Sequence, residues 1–189
     1  ACAALPPSDD LCATIDLGGG SADIAVAPFG SSGRGETSTA PAAASLQLGC
    51  VRVAERFAIG ATAGPPDPAA VEAAVESSRA LATDALSTLP RGVTRFVLLG
   101  GTASTAASLD LGLAEYSDAA VQGHVLEAAA LEALLEEAAG MELAELRERL
   151  GRVGAQERAP VMVAGLAALV GLTRALAAER LEVSVSDIL

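Results

Sequence analysis

A mixed α/β domain built on one sheet is the fold the sequence predicts, and three stretches carry that reading. Residues 11–17 and 22–28 alternate apolar with small or polar side chains, the period-two signature of strands with one buried face. Residues 68–89 instead bring Val71, Ala74, Val75, Ser78, Leu81, Ala82, Ala85 and Leu86 to one face of a helix. Arg95-Phe96-Val97-Leu98-Leu99 is a short apolar run that passes directly into Gly100-Gly101-Thr102 and a helix, the strand-turn-helix order of α/β proteins.

In chain order, the first two strands form a hairpin around Gly18-Gly19-Gly20-Ser21. A Gly/Ser-rich loop over 31–39 leads to a third strand at 42–48, so three antiparallel strands begin the domain. Residues 49–57 and a Gly/Pro-rich connection over 60–68 follow. Asp67-Pro68 then starts the long helix, because proline suits a first turn, and Pro90-Arg91-Gly92 ends it. Beyond the 95–99 strand, a helix runs to Asp110. Two charged helices, 126–139 and 142–150, meet at Gly140, their Glu and Arg residues reading as solvated faces. Residues 154–160 open a long helix over 161–179, where Gly165 and Gly171 permit close packing, and 181–185 is a final, fifth strand. At 189 residues without internal repeat or heptad run, the sequence predicts a single domain over 1–189.

Composition narrows the partners. Hydrophobic residues make up 51% and aromatics 2%, so the core must be packed from Ala, Leu, Val and Ile. The net charge is −12, and all 12 basic residues are arginine. With no lysine there is no Walker lysine, and the acidity argues against nucleic-acid binding. Cys2, Cys12 and Cys50 lack metal-ligand spacing and read as free thiols in a reducing compartment; His124 stands alone and reads as structural. No signal peptide is visible at the N-terminus, and the apolar run 161–172 is too short to span a bilayer, so the expectation is a cytoplasmic protein with no membrane partner. The sequence also reads as cut from something longer.

The chemistry concentrates at the first glycine turn. Glycines accept positive φ and bring no Cβ, so Gly18, Gly19 and Gly20 can turn successive N–H groups toward an anion, and Ser21 adds a hydroxyl. Asp16 and Asp23 flank the turn and suit a hydrated Mg²⁺, a hard cation that favours one or two carboxylates beside phosphate. The competing reading is a hairpin that merely bends. A second turn, Gly100 to Thr105, follows a strand and opens a helix, where unsatisfied N–H groups and the helix dipole favour anions, although Thr102 can also serve simply as a cap.

These motifs carry a resemblance. Asp16-Leu17-Gly18-Gly19-Gly20-Ser21, residues 48–57, Leu99-Gly100-Gly101-Thr102-Ala103, Glu157-Arg158-Ala159-Pro160 through Gly165, and Val183-Ser184-Val185-Ser186-Asp187 resemble, in that order, the exopolyphosphatase and guanosine pentaphosphate phosphatase (Ppx/GppA) family. The resemblance implies a ribonuclease H-like domain of the actin-like ATPase superfamily, the second of two lobes around a cleft, with a mixed five-stranded sheet. It implies Mg²⁺-dependent release of orthophosphate from polyphosphate or guanosine pentaphosphate. It assigns Gly18, Gly19, Gly20, Ser21, Arg52, Gly101 and Thr102 to phosphate, and Asp16 and Asp23 to the metal; Arg52 also reads as an ion-pair partner of Glu55 and surface carboxylates.

Two departures follow from the same comparison. Asp23 stands where the family usually has glutamate, shortening the arm that would reach the metal. The family's water-activating glutamate lies in an upstream Gly-Glu-Glu-rich segment, so the general base is expected outside this chain and the lobe alone is expected to be inactive. The first lobe of the same protein is the implied partner, and a homodimer is left open. The alternatives are a non-catalytic sensor of guanosine tetraphosphate or polyphosphate, an actin-like ATP-dependent kinase lobe, and a purely structural domain.

Overall fold

A computed structural model of the chain describes residues 11–28 and 42–186; the predicted 31–39 loop lies outside the described residues, as do Cys2 and Asp187. The elements are β1 (Leu11–Leu17), β2 (Ala22–Pro28), β3 (Ala42–Leu46), α1 (Cys50–Phe57), α2 (Pro68–Leu86), β4 (Arg95–Leu99), α3 (Gly101–Asp110), α4 (Asp118–Val121), β5 (Val125–Glu127), α5 (Ala128–Ala139), α6 (Leu143–Gly151), a 3-10 turn (Gln156–Arg158), α7 (Ala159–Leu176) and β6 (Arg180–Val183). The sheet has the order β3-β2-β1-β4-β6-β5. Strands β1, β4 and β6 run parallel, so their C-terminal ends gather at one end of the sheet.

Alternation in the hairpin becomes burial on one face. Ala13, Ile15 and Leu17 pair with Val26, Ile24 and Ala22, and all six are buried. On the opposite face Thr14, Asp16, Ala25 and Ala27 are half-buried and Asp23 is exposed. Side-chain period two thus delivers Asp16 and Asp23 to the same open face as direct cross-strand partners.

Helix α7 is the axis of the core. Every residue from Met162 to Thr173 is buried, and α7 packs against α1, α2 and α5. The predicted close approach is real: a Cβ on Gly171 would stand 2.5 Å from the Val75 carbonyl oxygen and 2.6 Å from the Ser78 Cβ. Helix α2 begins as read, with the Asp67 carboxylate accepting from the Ala69 N–H at 2.9 Å and Pro68 in the first turn. Across the parallel strands, Arg95 donates to both oxygens of Glu182 at 2.8 and 2.7 Å, tying β4 to β6.

Three readings change. The sheet has six strands, because Val125–Glu127 pairs antiparallel with β6 before α5 begins; three residues are too few to show a period, and they merge with the helix pattern that follows. Residues 50–57, to which the sequence reading gave no element, form α1, whose buried Cys50, Val53 and Ala54 sit at helical spacing. Finally, the helical run Gln156–Leu176 reaches 21 residues and is apolar enough to cross a bilayer, longer than the 161–172 stretch suggested. With 72% of its apolar window buried in the protein, it is a core helix.

Candidate functional site

The first glycine turn is held from behind by α1. The N–H groups of Cys50 and Val51 donate to the carbonyls of Gly18 and Gly19 at 3.0 Å each, and Arg52 N–H donates to Gly19 at 3.2 Å. These are orphan donors of a helix N-terminus, satisfied here by the turn instead of a side chain. The approach is so close that a Cβ on Gly49 would overlap the Gly19 carbonyl. The Arg52 Nε completes the clamp by donating to the Gly20 carbonyl at 2.9 Å. With its carbonyls turned to α1 and Gly18 N–H donating to Ser21 at 2.9 Å, the turn leaves the N–H groups of Gly19, Gly20 and Ser21 without partners among the described residues.

The reason for glycine at this tip differs from the expected one. None of Gly18, Gly19 and Gly20 has positive φ. A Cβ on Gly20 would meet nothing within 4 Å, and one on Gly18 or Gly19 only ordinary contacts at 3.5 and 3.4 Å. Neither backbone conformation nor packing demands these glycines. What they keep is open space around three unpartnered donors.

The second turn lies alongside the first, because β4 is the parallel neighbour of β1 and Leu99 is in register with Asp16. Here glycine is compulsory: Gly100 has φ +91°, and a Cβ would stand 2.9 Å from the Leu17 carbonyl oxygen and 3.0 Å from Asp16 Oδ1. Helix α3 begins without a side-chain cap. Its first backbone bond runs from Ser104 to Gly100 at 3.1 Å, leaving the N–H groups of Gly101, Thr102 and Ala103 unpartnered among the described residues. The Thr102 side chain points elsewhere, buried against α7, where a Cβ on Gly165 would lie 2.8 Å from its Cγ2. Any contact of Thr102 with an anion in this geometry is through its backbone.

Between the ends of β1, β4 and β6 opens a polar cleft of about 250 Å³, lined by Asp16, Gly101, Ser104, Tyr116, Asp118 and Ser186 among others. Several of these groups escaped the sequence reading. Arg158, in the 3-10 turn before α7, lays its guanidinium over Gly101 so closely that a Cβ there would overlap it. Tyr116 lines the cleft with Asp118 and Ser104, and burial together with the Asp118 carboxylate pushes its phenol above the ordinary value. A glycine at 101 and the chain's one tyrosine followed closely by an aspartate were the available signals.

Asp16 and Asp23, directly opposed on one face, offer hard oxygen donors, and Ser21 Oγ donates to Asp23 Oδ2 at 3.3 Å. Like charges directly opposite destabilise a strand pair, and a divalent cation would offset that. Two carboxylates with room for waters fit Mg²⁺, which rarely takes an all-protein cage. Among the described residues no cluster of three or more metal-ligating side chains exists.

Parallel central strands flanked by a β-hairpin, with helices packed through α7 and glycine turns at the strand ends, define a mixed α/β fold that matches the actin-like ATPase fold of the Ppx/GppA phosphatases. More particularly, the chain matches the model of the Ppx/GppA phosphatase family over residues 1–187 and belongs to that family. Among solved structures it is similar to the Ppx/GppA phosphatase of Aquifex aeolicus, with TM-score 0.77 and 23% identity over 94% of this chain and 54% of that one. It is similar also to an exopolyphosphatase-like protein, with TM-score 0.78, 25% identity and coverage of 95% and 56%. An exopolyphosphatase from Cytophaga hutchinsonii shares the fold at 15% identity, TM-score 0.72 and coverage of 96% and 55%. The chain therefore spans just over half the length of these relatives. Comparison with curated proteins finds no match.

Proposed function

We propose that this chain is the phosphate-binding lobe of a Mg²⁺-dependent phosphoanhydride hydrolase that releases orthophosphate from polyphosphate or guanosine pentaphosphate. The observation that carries the reading is the pair of adjacent turns with six N–H groups unpartnered among the described residues, Gly19, Gly20 and Ser21 on one and Gly101, Thr102 and Ala103 on the other. Phosphoryl transfer asks a protein mainly for positioning and charge stabilisation, which fixed backbone donors supply without reorganisation. In this scheme the donors hold non-bridging oxygens of the terminal phosphoryl group, and the Arg158 guanidinium over Gly101 adds the positive charge that an acidic chain otherwise lacks. Arg52 acts chiefly by fixing the first turn through Gly20. Mg²⁺ at Asp16 and Asp23, when bound, neutralises phosphate charge. The water-activating carboxylate comes from the upstream segment that joins this lobe to the first one, which is its partner.

A sensor that binds the same ligands without hydrolysis is the second reading, supported by the short arm of Asp23 and its engagement with Ser21. One pair of experiments separates the readings. Pyrophosphate binding to this chain, measured by calorimetry with Mg²⁺, should be saturable and lost in Gly20→Val, which fills space over the free donors. Phosphate release from polyphosphate and guanosine pentaphosphate should occur with a protein extended through both lobes and not with this chain alone. Binding without release by the extended protein supports the sensor; no binding by either refutes both.

A further inference from the structure

We propose that Gln122 is a positioning residue that holds Ser184, Val185 and Ser186 as one wall of the phosphate cleft, and that glutamine serves there because it offers an acceptor without a charge. The inference rests on the phosphate-cleft reading above and explains what fixes the wall that neither glycine turn forms. Ser184, Val185 and Ser186 line the cleft where the chain leaves β6. Ser184 still belongs to the sheet, its N–H donating to the Leu98 carbonyl at 2.9 Å. The Val185 N–H has no backbone acceptor among the described residues and donates instead to Gln122 Oε1 at 3.0 Å. The Ser184 hydroxyl donates to the same oxygen at 3.4 Å and accepts from the Ser186 N–H at 3.3 Å. One carboxamide oxygen thus holds the whole segment, directly or through Ser184.

Gln122 is itself anchored on both sides. Its N–H donates to the Asp118 carbonyl at 2.8 Å, closing α4, and the Gly123 N–H donates to the Val183 carbonyl at 2.8 Å. Asp118 lines the same cleft, so Gln122 ties two of its walls together. The amide orientation is set by Val185, whose N–H can only donate, so Oε1 must face it. Nε2 is then the group left over: it is buried and has no partner among the described residues, an unfavourable state for a donor. Methionine would have a similar length without that unmet donor, but its sulfur is a weak acceptor. Glutamate would accept from both partners, but would set a negative charge in the wall of an anion cleft. Glutamine meets both demands and leaves one donor unmet.

The test compares Gln122→Met and Gln122→Glu in the intact chain at about pH 8, where a carboxylate is ionised. Amide hydrogen exchange without ligand reads the hold on the wall: Val185 and Ser186 should exchange about tenfold faster in Gln122→Met and within about threefold of wild type in Gln122→Glu. Pyrophosphate affinity with Mg²⁺ reads the consequence. Gln122→Met should weaken it about three- to tenfold at every salt concentration, because the wall is no longer preorganised. Gln122→Glu should weaken it at low salt and match wild type at about 0.5 M salt, where the added charge is screened. A merely structural glutamine would weaken both variants alike at every salt concentration. Wild-type exchange or wild-type affinity in Gln122→Met, or a Gln122→Glu deficit that salt does not remove, overturns the proposal. If Gln122→Met does not fold, the salt dependence of Gln122→Glu decides. If the wild-type chain does not bind pyrophosphate, the phosphate reading fails and exchange decides the positioning role alone: faster exchange in Gln122→Met than in Gln122→Glu supports it, and equal rates overturn it.

Discussion

Replacing Gly49 by alanine probes the contact that shapes the first turn. Gly49 has φ −154°, an extended conformation open to any residue, so the substitution introduces no backbone strain. Its effect must come from the methyl group, which would overlap the Gly19 carbonyl and lie 2.6 Å from the Gly20 nitrogen. Both are backbone atoms, so relief requires α1 and the turn to separate. That separation weakens the three bonds from Cys50, Val51 and Arg52 to Gly18 and Gly19. At a net value of about 0.5–1.5 kcal/mol each, the loss is about 1.5–4.5 kcal/mol, and reduced unfolded-state entropy returns about 0.4–1. A net destabilisation of about 0.5–4 kcal/mol lowers the melting temperature by about 1–16 °C in a domain of this size. Thermal and urea unfolding followed by circular dichroism measure it, with Gly20→Ala as the control. A methyl at Gly20 meets nothing within 4 Å, so the control should stay within about 1 kcal/mol of wild type. Wild-type stability in Gly49→Ala would refute the clamp between α1 and the turn.

Two further outcomes follow from single contacts. Arg95→Met should destabilise the domain by about 1–3 kcal/mol, because it strands the partly buried Glu182 carboxylate, and Glu182→Leu in the same chain should recover most of that loss in urea unfolding. Alkaline titration of the ultraviolet tyrosinate band reports Tyr116 alone, since the chain has one tyrosine. The midpoint should lie above 10.0 and move down in Asp118→Asn. Because the folded value is the raised one, this group's contribution to stability is complete below the unfolded value and declines as pH rises through the folded one.

How much of this was legible in sequence depended on the range of the interaction. The hairpin and its opposed Asp16 and Asp23 follow from alternation, and strand β4 with its glycine turn follows from a short apolar run meeting Gly100. Helix α1 was illegible because Cys50-Val51-Arg52-Val53 alternates as a strand would, and its N-terminus is stabilised by carbonyls of Gly18 and Gly19 far away in sequence. Strand β5 exists only through pairing with β6. The first turn was found for a partly mistaken reason: its glycines were expected to supply positive φ, whereas that need falls on Gly100. Arg158 could not be placed beside Gly101 from periodicity, since the path of α7 through the core brings them together. Nor could periodicity show that the glycine at 165 lets α7 close over the Thr102 side chain.

The central claim is that the two glycine turns together grip phosphate, and amide chemical-shift mapping of this chain during pyrophosphate titration with Mg²⁺ tests it most directly. The account predicts saturable shifts at Gly19, Gly20 and Ser21 and, in the same titration and with the same midpoint, at Gly101, Thr102 and Ala103. Shifts confined to one turn, shifts centred elsewhere on the surface, or no saturable shifts at all would contradict it.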